Sequence, residues 1–175
     1  MRRAMPLRCS PLTPGAYAPY GHVIMASPRG EPGTPANQGT ARRFDHLAAL
    51  DDLRPGRAAL NVSVFRCAPR PAGPLVVALL ERHPASSQIF VPMNAARYLV
   101  VVALGEGDRP DLSTLAAFVA SGTQGVSYLP GVWHHPMIAL DHEIDFACLA
   151  WEDGTPGDCE VVSYAEGERP AVMVE

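Results

Sequence analysis

Hydrophobic and polar positions alternate with a period of two from residue 59 onward. Leu60, Val62, Val64 and Arg66 share one parity, and Leu75, Val77, Leu79, Glu81 and His83 share another. Such alternation predicts strands with one face turned to a core. Further strands are expected over 88–91, 97–104, 125–128, 132–140 and 144–151. One stretch has helical spacing: Leu112, Leu115, Ala116 and Val119 recur three or four apart, with Asp111 as N-cap and Gly122 where a C′ glycine belongs. A second short helix is expected from Ala41 to Leu50, and Ser27–Gly39 reads as a loop rich in Pro and Gly. The tail, Glu166–Glu175, reads as loosely held. Many short strands between Gly/Pro turns predict an all-β fold: a jelly-roll barrel with one or two short helices, whose interior can hold a small ligand.

Composition narrows the chemistry. A chain of 175 residues with 47% hydrophobic and 18% charged residues suits one folded domain, 1–175. All 14 basic residues are arginines, which excludes Schiff-base chemistry and a Walker A lysine. A net charge of −4 gives no basic footprint for nucleic acid. Cys9, Cys67, Cys148 and Cys159 form no CxxC pair and read as structural thiols. The first residues lack the apolar region of a signal peptide, and the longest apolar run, Tyr98–Leu104, is too short to span a bilayer. The expectation is a cytoplasmic protein with reduced cysteines and no membrane partner.

Two clusters can carry chemistry. In Glu81-Arg-His83-Pro-Ala-Ser-Ser-Gln88, a carboxylate and an imidazole two apart on a strand point the same way, as two metal ligands must, and Gln88 adds a carbonyl oxygen. In Pro130-Gly-Val-Trp133-His134-His135-Pro, a glycine turn feeds a strand on which only one of the two histidines faces a pocket. Read alone, each cluster also fits a wet strand end or a packed core histidine. Arg66, on the apolar parity of its strand, is expected to point inward and clamp a carboxylate. Arg43 is a further anion-binding candidate, Trp133 a pocket wall, and Asp145 an acid that could orient a histidine.

Taken together, the clusters resemble the two metal-binding motifs of cupin barrels, with Glu81 for the first histidine and Gln88 for the final glutamate. Over most of its length the chain is similar to the ureidoglycolate lyase (ureidoglycolate hydrolase) family. The similarity is carried by Leu12-Thr-Pro-Gly, Asn37-Gln-Gly, Arg43-Phe44, Leu80-Glu-Arg-His-Pro, Gln88-Ile-Phe-Val-Pro-Met, Val132-Trp-His-His-Pro, Asp145-Phe146 and Asp158-Cys159-Glu160. The chain departs from the family's usual pattern at Ser127, Leu129, Ala150 and Trp151.

The resemblance implies a homodimeric cupin that splits (S)-ureidoglycolate into glyoxylate and urea in allantoin breakdown, with a divalent metal, usually nickel. Glu81, His83, Gln88 and His134 are then the metal candidates. His134, His83 and Glu81 are the catalytic candidates, and Arg66, Gln88, Trp133 and Arg43 are the substrate-binding ones. Two alternatives stay open: hydrolysis releasing ammonia, or a non-catalytic cupin that binds a small hydroxy acid.

Overall fold

In a computed structural model, which describes residues 6–94 and 96–174, two facing sheets enclose the main core. The strands that build them are β1 (Ser10–Pro11), β2 (Val23–Ile24), β3 (Ala59–Cys67), β4 (Leu79–Arg82), β5 (Gln88–Pro92), β6 (Tyr98–Ala103), β7 (Ala116–Ala120), β8 (Gly125–Tyr128), β9 (Trp133–His134), β10 (Ile138–Ala139), β11 (Ile144–Glu152) and β12 (Glu160–Ser163). The first sheet has the order β12-β4-β9-β6-β7-β1, with β10 also pairing β6. The second has the order β2-β8-β5-β11-β3. This is the expected all-β fold, two sheets packed face to face, and the only α-helical turn among the described residues is Pro14–Tyr17, capped by the Thr13 hydroxyl.

Strand β6 shows how the layers stack. Tyr98, Val100 and Val102 enter the core between the sheets, together with Phe90, Val126, Tyr128, Phe146 and Cys148. Leu99, Val101 and Ala103 face the other way, into a second core with Val77, Leu80, Trp133 and Val172. A strand buried on both faces must read as an unbroken apolar run, as YLVVVA does. The second core is closed by a three-stranded sheet of Leu7–Arg8, Ala171–Met173 and Leu75–Val76.

The structure corrects several expectations. The helix over 112–119 shrinks to one 3-10 turn, Leu112–Thr114, and the rest is β7. Asp111 does cap that turn, accepting from the Ser113 amide at 2.9 Å. Pairing of Ala116–Ala120 with Tyr98–Val102 outweighs a helical spacing that spanned only two turns. No helix forms at 41–50; Ala41–Arg43 pairs with Thr34–Ala36 in a hairpin. Pro136 splits the strand expected at 132–140 into β9 and β10. The tail is not loose, because Ala171–Met173 is a central strand and Val172 is fully buried.

The parity of β3 is inverted. Phe65 lies opposite Phe146 and Ser63 opposite Cys148, so these residues face the interior. Leu60, Val62 and Val64 face outward, and Val62 is 65% exposed. Alternation shows that a strand has an apolar face; it does not show which sheet surface that face lies on.

Candidate metal centre

Strands β4 and β9 pair with Glu81 directly opposite His134, so both side chains stand on the same surface of the first sheet. His134 is opposite Val102, on the parity that faces the main core, and is 1% exposed. His83 follows β4. Its carbonyl accepts the Gly131 amide at 3.0 Å, which ties the two sequence clusters together through the main chain. Gly131 has φ +80°, a conformation that costs a residue with a Cβ roughly 1 kcal/mol or more.

Both imidazoles are fixed by carbonyl oxygens. His83 Nδ1 lies 2.8 Å from the Asp158 carbonyl, and His134 Nδ1 lies 3.0 Å from the Val132 carbonyl. A carbonyl only accepts, so each Nδ1 carries a proton, and in the neutral ring each Nε2 presents a lone pair. Both Nε2 atoms are buried without a hydrogen-bond partner. Leaving such an atom unsatisfied costs about 1–3 kcal/mol. Glu81 Oε1 lies 3.6 Å from His134 Nε2, and one donor atom from each of Glu81, His83 and His134 lies within 4.8 Å of the others. Two orphaned imidazole nitrogens facing a carboxylate fit a divalent transition metal. The carbonyl partner behind each ring is the usual means of aiming a ligating histidine.

Electrostatics favour the same states. Burial pushes the Glu81 carboxyl up, but contact with His134 and the neighbouring His83 and His135 outweigh it and hold it below the usual carboxylate range. Burial, then His134, pushes His83 below its ordinary value despite the Asp158 carbonyl. Near neutral pH the pair is therefore an anion beside a neutral imidazole. Tyr128 lies flat on His134, with ring centroids 3.9 Å apart and planes 3° apart, and His83 is also stacked on it at 5.6 Å.

The remaining candidates are placed as follows. Gln88 is buried, lies opposite Tyr128 and Ala150 in the second sheet, and leaves its Oε1 without a partner. Arg66 does not point inward: its side chain is 69% exposed and holds Asp145 bidentately at 2.8 and 2.9 Å. Asp145 is thereby occupied at the surface and orients no histidine. Trp133 faces the second core beneath Arg82, whose guanidinium carbon sits 4.6 Å from the ring centroid, because adjacent residues on a strand alternate. It cannot wall a pocket that His134 faces. Arg43 pairs with Asp45 at 2.9 Å and lines a surface cavity of about 300 Å³ with Phe44 and Arg29, away from the triad residues. Sequence reasoning missed Tyr128, Gly131 as a main-chain donor, and the Asp158 carbonyl. Gly131 carried a signal as the glycine turn before His134, and Asp158 as part of a matched segment; Tyr128 carried none.

Comparison with known proteins adds identity to this geometry. The family described as Ureidoglycolate lyase matches residues 4–171. A ureidoglycolate lyase of Burkholderia cepacia is 48% identical over 144 residues, covering 82% of this chain and 78% of that protein. The ureidoglycolate lyase of Pseudomonas syringae pv. tomato is 38% identical, covering 93% and 92%. That of Salmonella paratyphi B is 41% identical, covering 94% and 98%.

Proposed function

The chain belongs to the ureidoglycolate lyase family, and on that premise we propose that it is a carbon–nitrogen lyase that splits (S)-ureidoglycolate into glyoxylate and urea. The observation that carries the reading is the triad: Glu81, His83 and His134 converge inside the barrel with two aimed, unpartnered imidazole nitrogens. These three residues would hold a divalent cation, with Gln88 as a further donor and nickel as the ion the family resemblance implies. Such an ion, when bound, acts as a Lewis acid that lowers the pKa of a substrate hydroxyl.

The substrate carbon carries a hydroxyl, a carboxylate and a ureido nitrogen. Elimination moves the hydroxyl proton to that nitrogen, breaks the carbon–nitrogen bond and turns the carbon–oxygen bond into the aldehyde of glyoxylate. Glu81 suits the acceptor's role: it is the anion of the triad, and 24% of its side chain is still exposed, so substrate can reach it. One of its oxygens faces His134; the other would take the proton and return it to the leaving nitrogen. His134, held by Tyr128 and Val132, and His83, held by Asp158, keep their lone pairs aimed at the reacting centre. The substrate's carboxylate is not held by Arg66, which is engaged elsewhere.

We infer that the protein acts as a homodimer, each chain a single domain, in the cytoplasm. Supporting the dimer, β3 is a nine-residue edge strand whose outward Leu60, Val62 and Val64 are exposed, a surface that single chains seldom leave uncovered. No helix among the described residues is long and apolar enough to cross a membrane. The test of the reaction is product analysis with (S)-ureidoglycolate, corrected for spontaneous decay. Glyoxylate and urea in equal amounts are expected. Ammonia in place of urea would mean hydrolysis. No product with added nickel or manganese would leave a cupin that only binds a hydroxy acid.

A further inference from the structure

We propose that Arg54, with Asp153 and Asp158, is a positioning unit that holds the imidazole of His83 in its ligand-competent tautomer. The inference rests on reading His83 as a metal ligand. Asp158 has two roles. Its carbonyl accepts from His83 Nδ1 at 2.8 Å, while its carboxylate accepts from the amides of Asp153 and Gly154 at 3.0 and 2.8 Å. The 153–158 turn is thus wound around its own carboxylates, and the Asp153 carboxylate also accepts from Thr155.

Arg54 staples this turn from outside, with Nη1 to Asp153 at 2.8 Å and Nη2 to Asp158 at 2.5 Å. The three side chains are only 15%, 8% and 16% exposed, unlike the surface pairs of Arg66 or Arg97. The segment that carries Arg54 is anchored in turn to the residues just after His83. Leu53 donates to the Ala85 carbonyl at 2.9 Å, and Ser87 donates to the Asp51 carbonyl at 3.1 Å. A closed ring of chain segments and hydrogen bonds therefore runs from His83 along the chain to Ala85, across to Leu53 and Arg54, on to Asp158 and back to His83. In such a ring, turning the Asp158 carbonyl away from Nδ1 strains a partly buried ion pair, which is costly to break when one partner is left behind. Arg54 touches no ligand atom of the triad; it acts through the carbonyl of another residue.

The test uses the full chain without metal and then with nickel. In the metal-free protein, ¹⁵N-labelled histidine spectra report each ring's tautomer, and His134 serves as an internal control because its carbonyl partner, Val132, lies outside the ring. In Arg54→Met, His83 is expected to become a mixture of tautomers while His134 stays a single Nδ1–H species. Nickel affinity is expected to fall about 10- to 100-fold, the usual loss when a ligand's outer partner is removed. Arg54→Lys, which keeps one charged donor, is expected to restore part of both. The proposal is overturned if His83 keeps one tautomer and nickel affinity holds within about two-fold. It is equally overturned if both histidines change together, or if the Lys variant is no better than Met. Should the wild-type protein bind no nickel, the metal reading falls, and the tautomer spectra still decide what Arg54 does.

Discussion

The stack of Tyr128 on His134 invites the sharpest perturbation. Tyr128 is 1% exposed, its ring lies 3.9 Å from the imidazole, and its hydroxyl makes only a 3.5 Å contact with the Met137 sulfur. Tyr128→Phe keeps the ring and loses a weak hydrogen bond, so stability is expected to change by less than about 0.5 kcal/mol. Tyr128→Leu removes the aromatic face and opens a void beside His134, which costs about 1–3 kcal/mol of folding stability. An aromatic stack is worth roughly 0.5–1.5 kcal/mol beyond buried area. If that energy is spent holding His134 in place, nickel binding should weaken about 2- to 12-fold in the Leu variant and stay unchanged in the Phe variant. Urea unfolding gives the first quantity, and calorimetric nickel titration at a temperature where both variants are folded gives the second. A Leu variant that loses stability as expected yet binds nickel like the wild type would refute the argument that the stack positions His134.

Four further outcomes follow from the same geometry. His134→Ala should cut glyoxylate formation by at least about 100-fold with the fold retained by circular dichroism; residual activity near wild type would remove the triad from the chemistry. Arg66→Ala should leave glyoxylate formation within about two-fold, since its partner is a surface Asp145 and not the substrate; a large rise in KM would reinstate it as a clamp. Val62→Arg should convert a dimer to a monomer in light scattering, and an unchanged mass would place the interface elsewhere. Burial alone would raise the Asp158 carboxyl, but the Asp153 and Gly154 amides and Arg54 hold it below the ordinary value. Its contribution to stability is then complete above the ordinary carboxylate range and lost as pH falls through the lower folded value, so Arg54→Met should flatten the stability profile between about pH 2 and 5.

The fold class and the triad were legible because both depend on short-range spacing. Glu81 and His83 lie two apart at a strand end, and His134 follows a glycine turn, so residue type and local geometry name them. What was not legible depends on the choice of partner. The Leu112–Val119 segment has a helical spacing that also suits a strand once β6 is beside it. The outward turn of Val62 and Val64, and hence of Arg66, is decided by β11 and whatever covers the sheet, not by β3 itself. Trp133 was misplaced by treating it as part of the His134 motif, although adjacent residues on a strand serve opposite faces. The Asp158 carbonyl is a main-chain atom 75 residues from His83, and no side-chain pattern marks such a donor–acceptor pair.

The closing strand of the second core has a consequence for how the protein is made. Every residue of the core between the sheets lies between Leu12 and Cys148. The second core, which backs Trp133 and so the strand carrying His134, still needs Val172. On the ribosome the inner core can assemble first, and the chain behind the triad is sealed only when residues 171–173 emerge and slot between Leu7–Arg8 and Leu75–Val76. A nascent chain halted after Ser163 would hold every strand of both main sheets, and all three triad residues, yet leave the second core without Val172. Quality control that senses exposed apolar surface would then be reading whether residues 171–173 have emerged and paired.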